Sequence, residues 1–281
     1  MELSTLGRLL SAAARPWVRR PRVHYRYRGL RPTDAMLVSY PKSGSTWLRF
    51  LLANVMTGRE ADYDSIREQM PAVGRHRDAP TVLPRGGRLL RTHEPLRPYF
   101  GLPDQPVIYL VRDGRDVCIS YFNHVRRQGY TGDLVMFVEA FLAARVDGYG
   151  RWQDHVLSGI EFERTASGPV RLLRYEDLRS DPVPELAKIL SFVGMSVGDS
   201  TVSEAVEANS RERMRAKQAE SAFLRTRPGG GSAYSGDHGE WTELVPSDLR
   251  RRFDRLCGPA MAAAGYRTEG GQAPPRRSAS G

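Results

Sequence analysis

The stretch from Ala35 to Met56 limits what this chain can fold into more than any other. It begins as a short apolar run, Ala35-Met-Leu-Val-Ser-Tyr40, and stops at Pro41. It resumes as Ser45-Thr46-Trp-Leu-Arg-Phe-Leu-Leu-Ala-Asn-Val-Met56, with apolar residues recurring at helical spacing. That is a buried strand, a tight turn and a helix. The pattern returns along the chain. Strand candidates are Arg88-Leu-Leu-Arg-Thr92, Pro106-Val-Ile-Tyr-Leu-Val111 with a helix beginning near Arg115 and Asp116, and Val170-Arg-Leu-Leu-Arg174. The last leads through a turn containing Asp181 and Pro182 to a helix over Val183 to Val193. Short apolar strands alternating with helices predict an α/β fold, a parallel sheet flanked by helices on both faces. Two more helices are expected between Gly132 and Leu157, one or two between Ser200 and Ala219, and a last one from about Ser247 to Ala264, closed by Gly265.

The two ends read differently. Residues 1–31 join a short apolar helix candidate, Leu3 to Ala14, to an Arg-rich tract, and read as a basic N-terminal arm, with contact to a membrane surface as its alternative role. Residues 32–268 form the domain. Residues 269–281 are Gly, Pro, Ser and Arg without periodicity, a disordered tail. No stretch reaches the roughly 18 apolar residues of a spanning helix, so no transmembrane segment is expected. The order of apolar and basic residues at the start does not resemble a signal peptide, which places the protein in the cytoplasm. Cys118 and Cys257 lie far apart with no partnering His cluster, so they read as buried thiols, and neither a metal site nor a disulfide framework is expected.

The formal charge of +10 points to polyanionic partners: nucleic acid, an anionic membrane surface or phosphorylated small molecules. Only Lys42, Lys188 and Lys217 among the 42 basic residues are lysines, a bias that reads as a GC-rich, bacterial source and makes Lys42 stand out. It sits in Ser39-Tyr-Pro-Lys-Ser-Gly-Ser-Thr-Trp47, between strand and helix. There Gly44 permits close backbone approach, the helix start offers unpaired N–H groups, and Ser43, Ser45 and Thr46 add hydroxyls. This is a phosphate cradle, but not the triphosphate loop, because G-x-x-x-x-G-K-[ST] is absent and the lysine precedes the glycine. In Tyr109-Leu-Val-Arg-Asp-Gly-Arg-Asp-Val-Cys-Ile-Ser-Tyr121, Arg112 falls at the carboxyl end of a strand, where open α/β sheets bind ligands, and Ser120 falls about two turns into the next helix. Such an Arg either grips a phosphate or pairs with Asp113 or Asp116.

These residues resemble the sulfotransferases that use 3'-phosphoadenosine 5'-phosphosulfate (PAPS) as sulfuryl donor. Tyr40 to Trp47 is similar to that family's 5'-phosphosulfate loop, and Arg112 with Ser120 to its 3'-phosphate pair. Arg91-Thr-His93 is similar to its Lys-Thr-His catalytic stretch, and Arg174-Tyr-Glu-Asp-Leu178 to the segment whose Tyr meets adenine. The resemblance runs from about Ala35 to Trp241. It implies a P-loop-like, nucleotide-kinase-like fold and in-line sulfuryl transfer to an acceptor hydroxyl or amine without metal. Lys42 would stabilise the leaving phosphate, the Gly44 to Thr46 amides would hold the 5'-phosphate, Trp47 and Tyr175 would meet adenine, and Arg112 and Ser120 the 3'-phosphate. His93 would be the general base, with Arg91 standing for the family's Lys and Glu94 a rival or orienting group.

The chain departs from the family where a lid should close on the 3'-phosphate. Phe223-Leu-Arg-Thr-Arg-Pro-Gly-Gly-Gly231 is separated from Gly239-Glu-Trp241, and Arg225 aligns best, with Arg227 a rival. Asn209-Ser210-Arg211 replaces a Thr-Ser-Phe stretch, so its adenine contacts stay unassigned. The alternative enzyme reading is a small-molecule phosphotransferase, with Asp113 as a weak candidate for Mg2+. A nucleic-acid partner is not expected, since no zinc-finger, recognition-helix or RNP pattern occurs. Residues 59–87 and 122–165, the Gly-rich segment 228–239, and aromatics such as Tyr99, Phe100, Phe122 and Tyr130 are expected around the acceptor: a small molecule, a carbohydrate or a lipid.

Overall fold

In the computed structural model, residues 25–96, 105–221 and 240–268 are described. Four parallel strands, β1 (Ala35–Ser39), β2 (Leu89–Thr92), β3 (Val107–Val111) and β4 (Val170–Arg174), lie in the order β2-β1-β3-β4. All four are where the apolar runs predict them. Every residue of β1 and β3 is buried, as expected of central parallel strands covered on both faces.

Alternation along the strands sorts the core into two layers. Met36 and Val38 of β1 and Tyr109 of β3 face a cluster shared with α3 (Gly114–Arg127), α4 (Leu134–Leu142), α5 (Trp152–Thr165) and α11 (Ser247–Ala263). Ala35 and Leu37, with Ile108 and Leu110, face the other, packed by α1 (Ser45–Thr57) and, beyond β4, by α6 (Tyr175–Ser180), α7 (Pro182–Phe192) and α8 (Asp199–Ala208). Leu48, Leu51 and Leu52 of α1 are fully buried there, each contributing about 1.5–3 kcal/mol. Short helices α2 (Ser65–Gln69) and α10 (Glu240–Leu244), and α9 (Arg211–Glu220), are the other α-helices among the described residues, with one 3-10 turn at Pro84–Gly86.

Some elements differ from the expectation. The turn predicted after β4 contains α6, six residues long, too short for its periodicity to show. α7 then starts at Pro182, whose missing N–H costs nothing in a first turn. The end of the basic arm is packed on the domain: Tyr27 is buried and its hydroxyl donates to Thr92 Oγ1 at 3.2 Å. Residues 1–24, 97–104 (with Tyr99 and Phe100), 222–239 and 269–281 lie outside the described residues. Both cysteines are buried and unbridged. Among the described residues no helix is long and apolar enough to cross a membrane.

A buried ion pair pins the entry to the sheet. Arg88 Nε and Nη2 reach Asp34 Oδ1 and Oδ2 at 2.9 and 2.6 Å, and its remaining donors meet His76 O and Gly29 O. With Ser39 level with Leu110, the turns that leave β1 and β3 emerge side by side at the carboxyl edge of the sheet.

Candidate active site

The turn after β1 holds two residues in left-handed backbone, Lys42 (φ 71°) and Gly44 (φ 97°). A lysine there stores strain of about 1–3 kcal/mol, as at many functional sites. Gly44 is required twice: it caps α1 in this conformation, and a Cβ would run into the Tyr175 ring. No side chain caps α1 and no acid lies in its first turn, so its leading amides are free to meet an anion. Ser43 Oγ is buried with no hydrogen-bond partner. Lys42 is half-buried, and burial, with Arg127 and Arg112 nearby, lowers its pKa to about 8.

Arg112 leaves β3 beside this turn. It is only loosely held: Nη1 donates to Lys42 O at 3.4 Å, Nη2 lies 3.6 Å from Asp116, and Nε is buried without a partner. Its guanidinium stacks 4.7 Å over the Tyr175 ring, and Trp47 packs edge-on to the same ring at 6.0 Å. Trp47 Nε1 donates to Asn209 O at 2.9 Å, tying the start of α1 to the end of α8. Tyr175 is set by its neighbour Glu176, which accepts from the Asp113 amide at 3.0 Å and the Tyr266 hydroxyl at 2.7 Å and so braces the β4–α6 turn on the start of α3.

His93 follows β2. Its Nδ1 lies 2.7 Å from Ser39 O, and a carbonyl can only accept, so the proton sits on Nδ1 and Nε2 keeps its lone pair. The Tyr149 ring packs edge-on at 5.6 Å, and His155 Nε2 meets the His93 carbonyl at 3.2 Å. Burial lowers the His93 pKa to about 4, the Ser39 carbonyl opposing and Arg91, Arg49 and Lys42 assisting. Glu94 turns elsewhere, towards Arg26 at 3.8 Å, and Arg91 is absent from the cavity wall.

One cavity of about 510 Å³ gathers these groups. Of the residues singled out from the sequence, Lys42, Gly44, Ser45, Thr46, Trp47, His93, Arg112, Ser120 and Tyr175 line it. Ser43 lies behind the wall, and Arg225 falls outside the described residues. Tyr63 and His124, from the stretches expected around the acceptor, line it too, and so do residues not foreseen: Tyr121, Arg179, and Glu207, Ser210, Arg211 and Met214. The last group had a signal, since Asn209-Ser210-Arg211 is where the family pattern breaks; Tyr121 and Arg179 had none.

Oxyanions suit such a place. The uncapped start of α1, the orphaned Ser43 Oγ and Arg112 Nε, and a lysine held against two arginines all ask for negative charge. Fold and site together define a P-loop-like α/β protein with an anion cradle at the carboxyl edge of its sheet. Residues 32–265 match the Sulfotransferase domain family, and the chain belongs to that family of enzymes. It is 35% identical over 203 residues to sulfotransferase 1A1 of Bos taurus, spanning 66% of this chain and 66% of that protein. It is 29% identical over 272 residues to sulfotransferase 1A1 of Canis lupus familiaris, covering 85% and 87%. Among solved structures, mouse sulfotransferase SULT7A1 complexed with PAP superposes with TM-score 0.64 at 24% identity, over 89% of this chain and 91% of that one. Retinol dehydratase in complex with retinol and PAP superposes with TM-score 0.69 at 18% identity, over 91% and 93%.

Proposed function

We propose that the protein transfers the sulfuryl group of PAPS to an acceptor hydroxyl or amine. The observation that carries this reading is a neutral histidine with a free Nε2 in one cavity with an acid-free lysine, a loosely held arginine and an uncapped helix start.

When bound, PAPS supplies the sulfuryl group and departs as 3'-phosphoadenosine 5'-phosphate (PAP). The amides from Gly44 to Thr46 hold the 5'-phosphate side, and Arg112 and Ser120 hold the 3'-phosphate, with Arg225 or its rival Arg227 closing over it. Tyr175 and Trp47 receive the adenine. His93 Nε2 takes the acceptor's proton as its oxygen attacks, while Nδ1–H stays on Ser39 O and fixes the ring. The Lys42 ammonium offsets charge growing on the leaving phosphate. Glu94, engaged away from the cavity, is not given a share of the base role.

The acceptor is a small molecule, a carbohydrate or a lipid, met by the walls from α3 and residues 59–87. Two of its expected aromatics, Phe122 and Tyr130, instead pack on one another at 6.3 Å in the core. The arginine bias among the basic residues favours a bacterial source. The phosphotransferase alternative draws less support, because its candidate metal ligand Asp113 caps α3 and is held bidentately by Arg115.

Calorimetric titration with PAP in metal-free buffer tests the reading. Tight binding weakened by both Lys42→Ala and Arg112→Ala is the expected result. No binding of PAP, with ATP and Mg2+ binding instead, overturns it.

A further inference from the structure

The acceptor end of the cavity holds positive charge that the donor does not use. On α3, Ser120, His124 and Arg127 follow at i, i+4 and i+7 and so share one face. Ser120 and His124 line the cavity, and Arg127 stands one turn beyond, partly buried, with Nε buried and unpartnered. Its guanidinium is near enough to act on both neighbours, and it ranks ahead of Arg112 among the charges that bear on Lys42. The Gln128 amide nitrogen meets His124 Nε2 at 3.0 Å, and an amide nitrogen only donates, so His124 carries its proton on Nδ1 and has an N–H to offer.

Among the described residues no carboxylate answers this charge. None forms an ion pair with Arg127, and the charges felt by Lys42 and His124 are cations alone. Asp147, behind Tyr121, is taken by the Tyr121 hydroxyl at 3.0 Å and the Tyr149 amide at 2.6 Å. Arg112 by contrast has Asp116. On the sulfotransferase reading, the 5'-phosphosulfate meets Lys42 and the 3'-phosphate meets Arg112 and Ser120, which leaves Arg127 and the His124 N–H over.

We infer that the acceptor carries an oxyanion, a carboxylate in the simplest case, which the Arg127 guanidinium and the His124 N–H hold while His93 faces the hydroxyl to be sulfated. This rests on the proposed function. A guanidinium grips a carboxylate through two parallel N–H bonds, and doing so beside Lys42 relieves a repulsion present in the free protein. An uncharged phenol or sterol leaves that repulsion in place.

The test is calorimetry on the full chain saturated with PAP, using matched probes: 4-hydroxyphenylacetate against its methyl ester, a hydroxysteroid carboxylic acid against its methyl ester, and methyl glucuronide against methyl glucoside. In at least one pair the acid should bind about tenfold or more tightly. Arg127→Gln should erase that preference and Arg127→Lys keep part of it, while both still bind PAP and so report a folded donor site. Acids no tighter than neutral partners in every pair, or an acid preference that survives Arg127→Gln, overturns the inference. Failure of the wild type to bind PAP at all sinks the donor assignment, and this inference with it.

Discussion

The donor wall and the acceptor wall of the cavity are built on different principles. Most donor groups sit within a few residues of a strand's carboxyl end: Lys42 and Gly44 after β1, Arg112 after β3 and Tyr175 after β4. The sheet register thus fixes their mutual positions. The acceptor wall draws on the far half of α3 and on Tyr63 ahead of α2, where side chains rather than backbone define the surface. The donor is constant for a whole family, and a rigid frame serves it; the acceptor is the variable partner, and helix faces can be changed without disturbing the sheet.

The largest break between the walls should come from His93→Ala. Loss of a positioned base costs about 10²–10⁴ in turnover, yet PAP affinity should stay within about twofold, since His93 faces the acceptor. Lys42→Ala should lower turnover by about 10²–10³ and weaken PAP as well. Single-turnover rates with PAP titrations separate the two patterns. If His93→Ala loses PAP affinity as Lys42→Ala does, the histidine belongs to the donor wall and the division drawn here fails.

Removing the pin beneath the donor wall should unfold rather than misdirect. Asp34→Asn leaves Arg88 buried with half its partners and should cost about 3–5 kcal/mol of stability by denaturant titration. The Asp34 carboxyl feels burial first, which raises its pKa, but the Arg88 and backbone hydrogen bonds prevail and hold it below the usual value. Its contribution is therefore present above the unfolded carboxyl pKa and lost as the medium is acidified through the lower folded one.

The walls should also differ in pH. His93 is neutral down to about pH 4, so kcat/KM should persist through pH 5 to 6, where an ordinary imidazole is already protonated. Lys42 loses its proton as pH rises through about 8, so PAP affinity should fall above that point, by up to about tenfold per unit. Lys42→Arg, which does not titrate there, should flatten the alkaline fall. An acid limb near 6.5 would mean that His93 is more hydrated than its burial implies.

The same contrast explains what could be read from the chain. Contiguous turns made Lys42, Arg112 and Tyr175 legible, because one short segment specifies both the residue and its place at a strand end. The left-handed Lys42 was not legible, since lysine carries no preference for that backbone. Nor was the α6 helix, too short for a periodic signal, nor the brace through Glu176, which depends on Tyr266 some ninety residues away. His124 and Arg127 look like ordinary helix-end cations in the sequence, and only the convergence of Lys42 on them gives them meaning. Arg91, by contrast, is legible by motif and misplaced by geometry. It does not line the cavity, and the lysine role was carried over to it from position alone.

The smallest effect tests the seam where the walls meet. Trp47 lines the cavity on α1 and donates Nε1–H to Asn209 O, the carbonyl that begins the altered stretch ending in Arg211. Trp47→Phe keeps a ring against Tyr175 but removes this bond, which is worth about 0.5–1.5 kcal/mol. If the bond holds the α8–α9 junction over the adenine, PAP affinity should fall about threefold to tenfold, with no change in preference between acidic and neutral acceptors. A change in acceptor preference with PAP affinity intact would move the α8–α9 junction from the donor wall to the acceptor wall. Arg211, with no aromatic counterpart in this chain's version of the stretch, would then face acceptor rather than adenine.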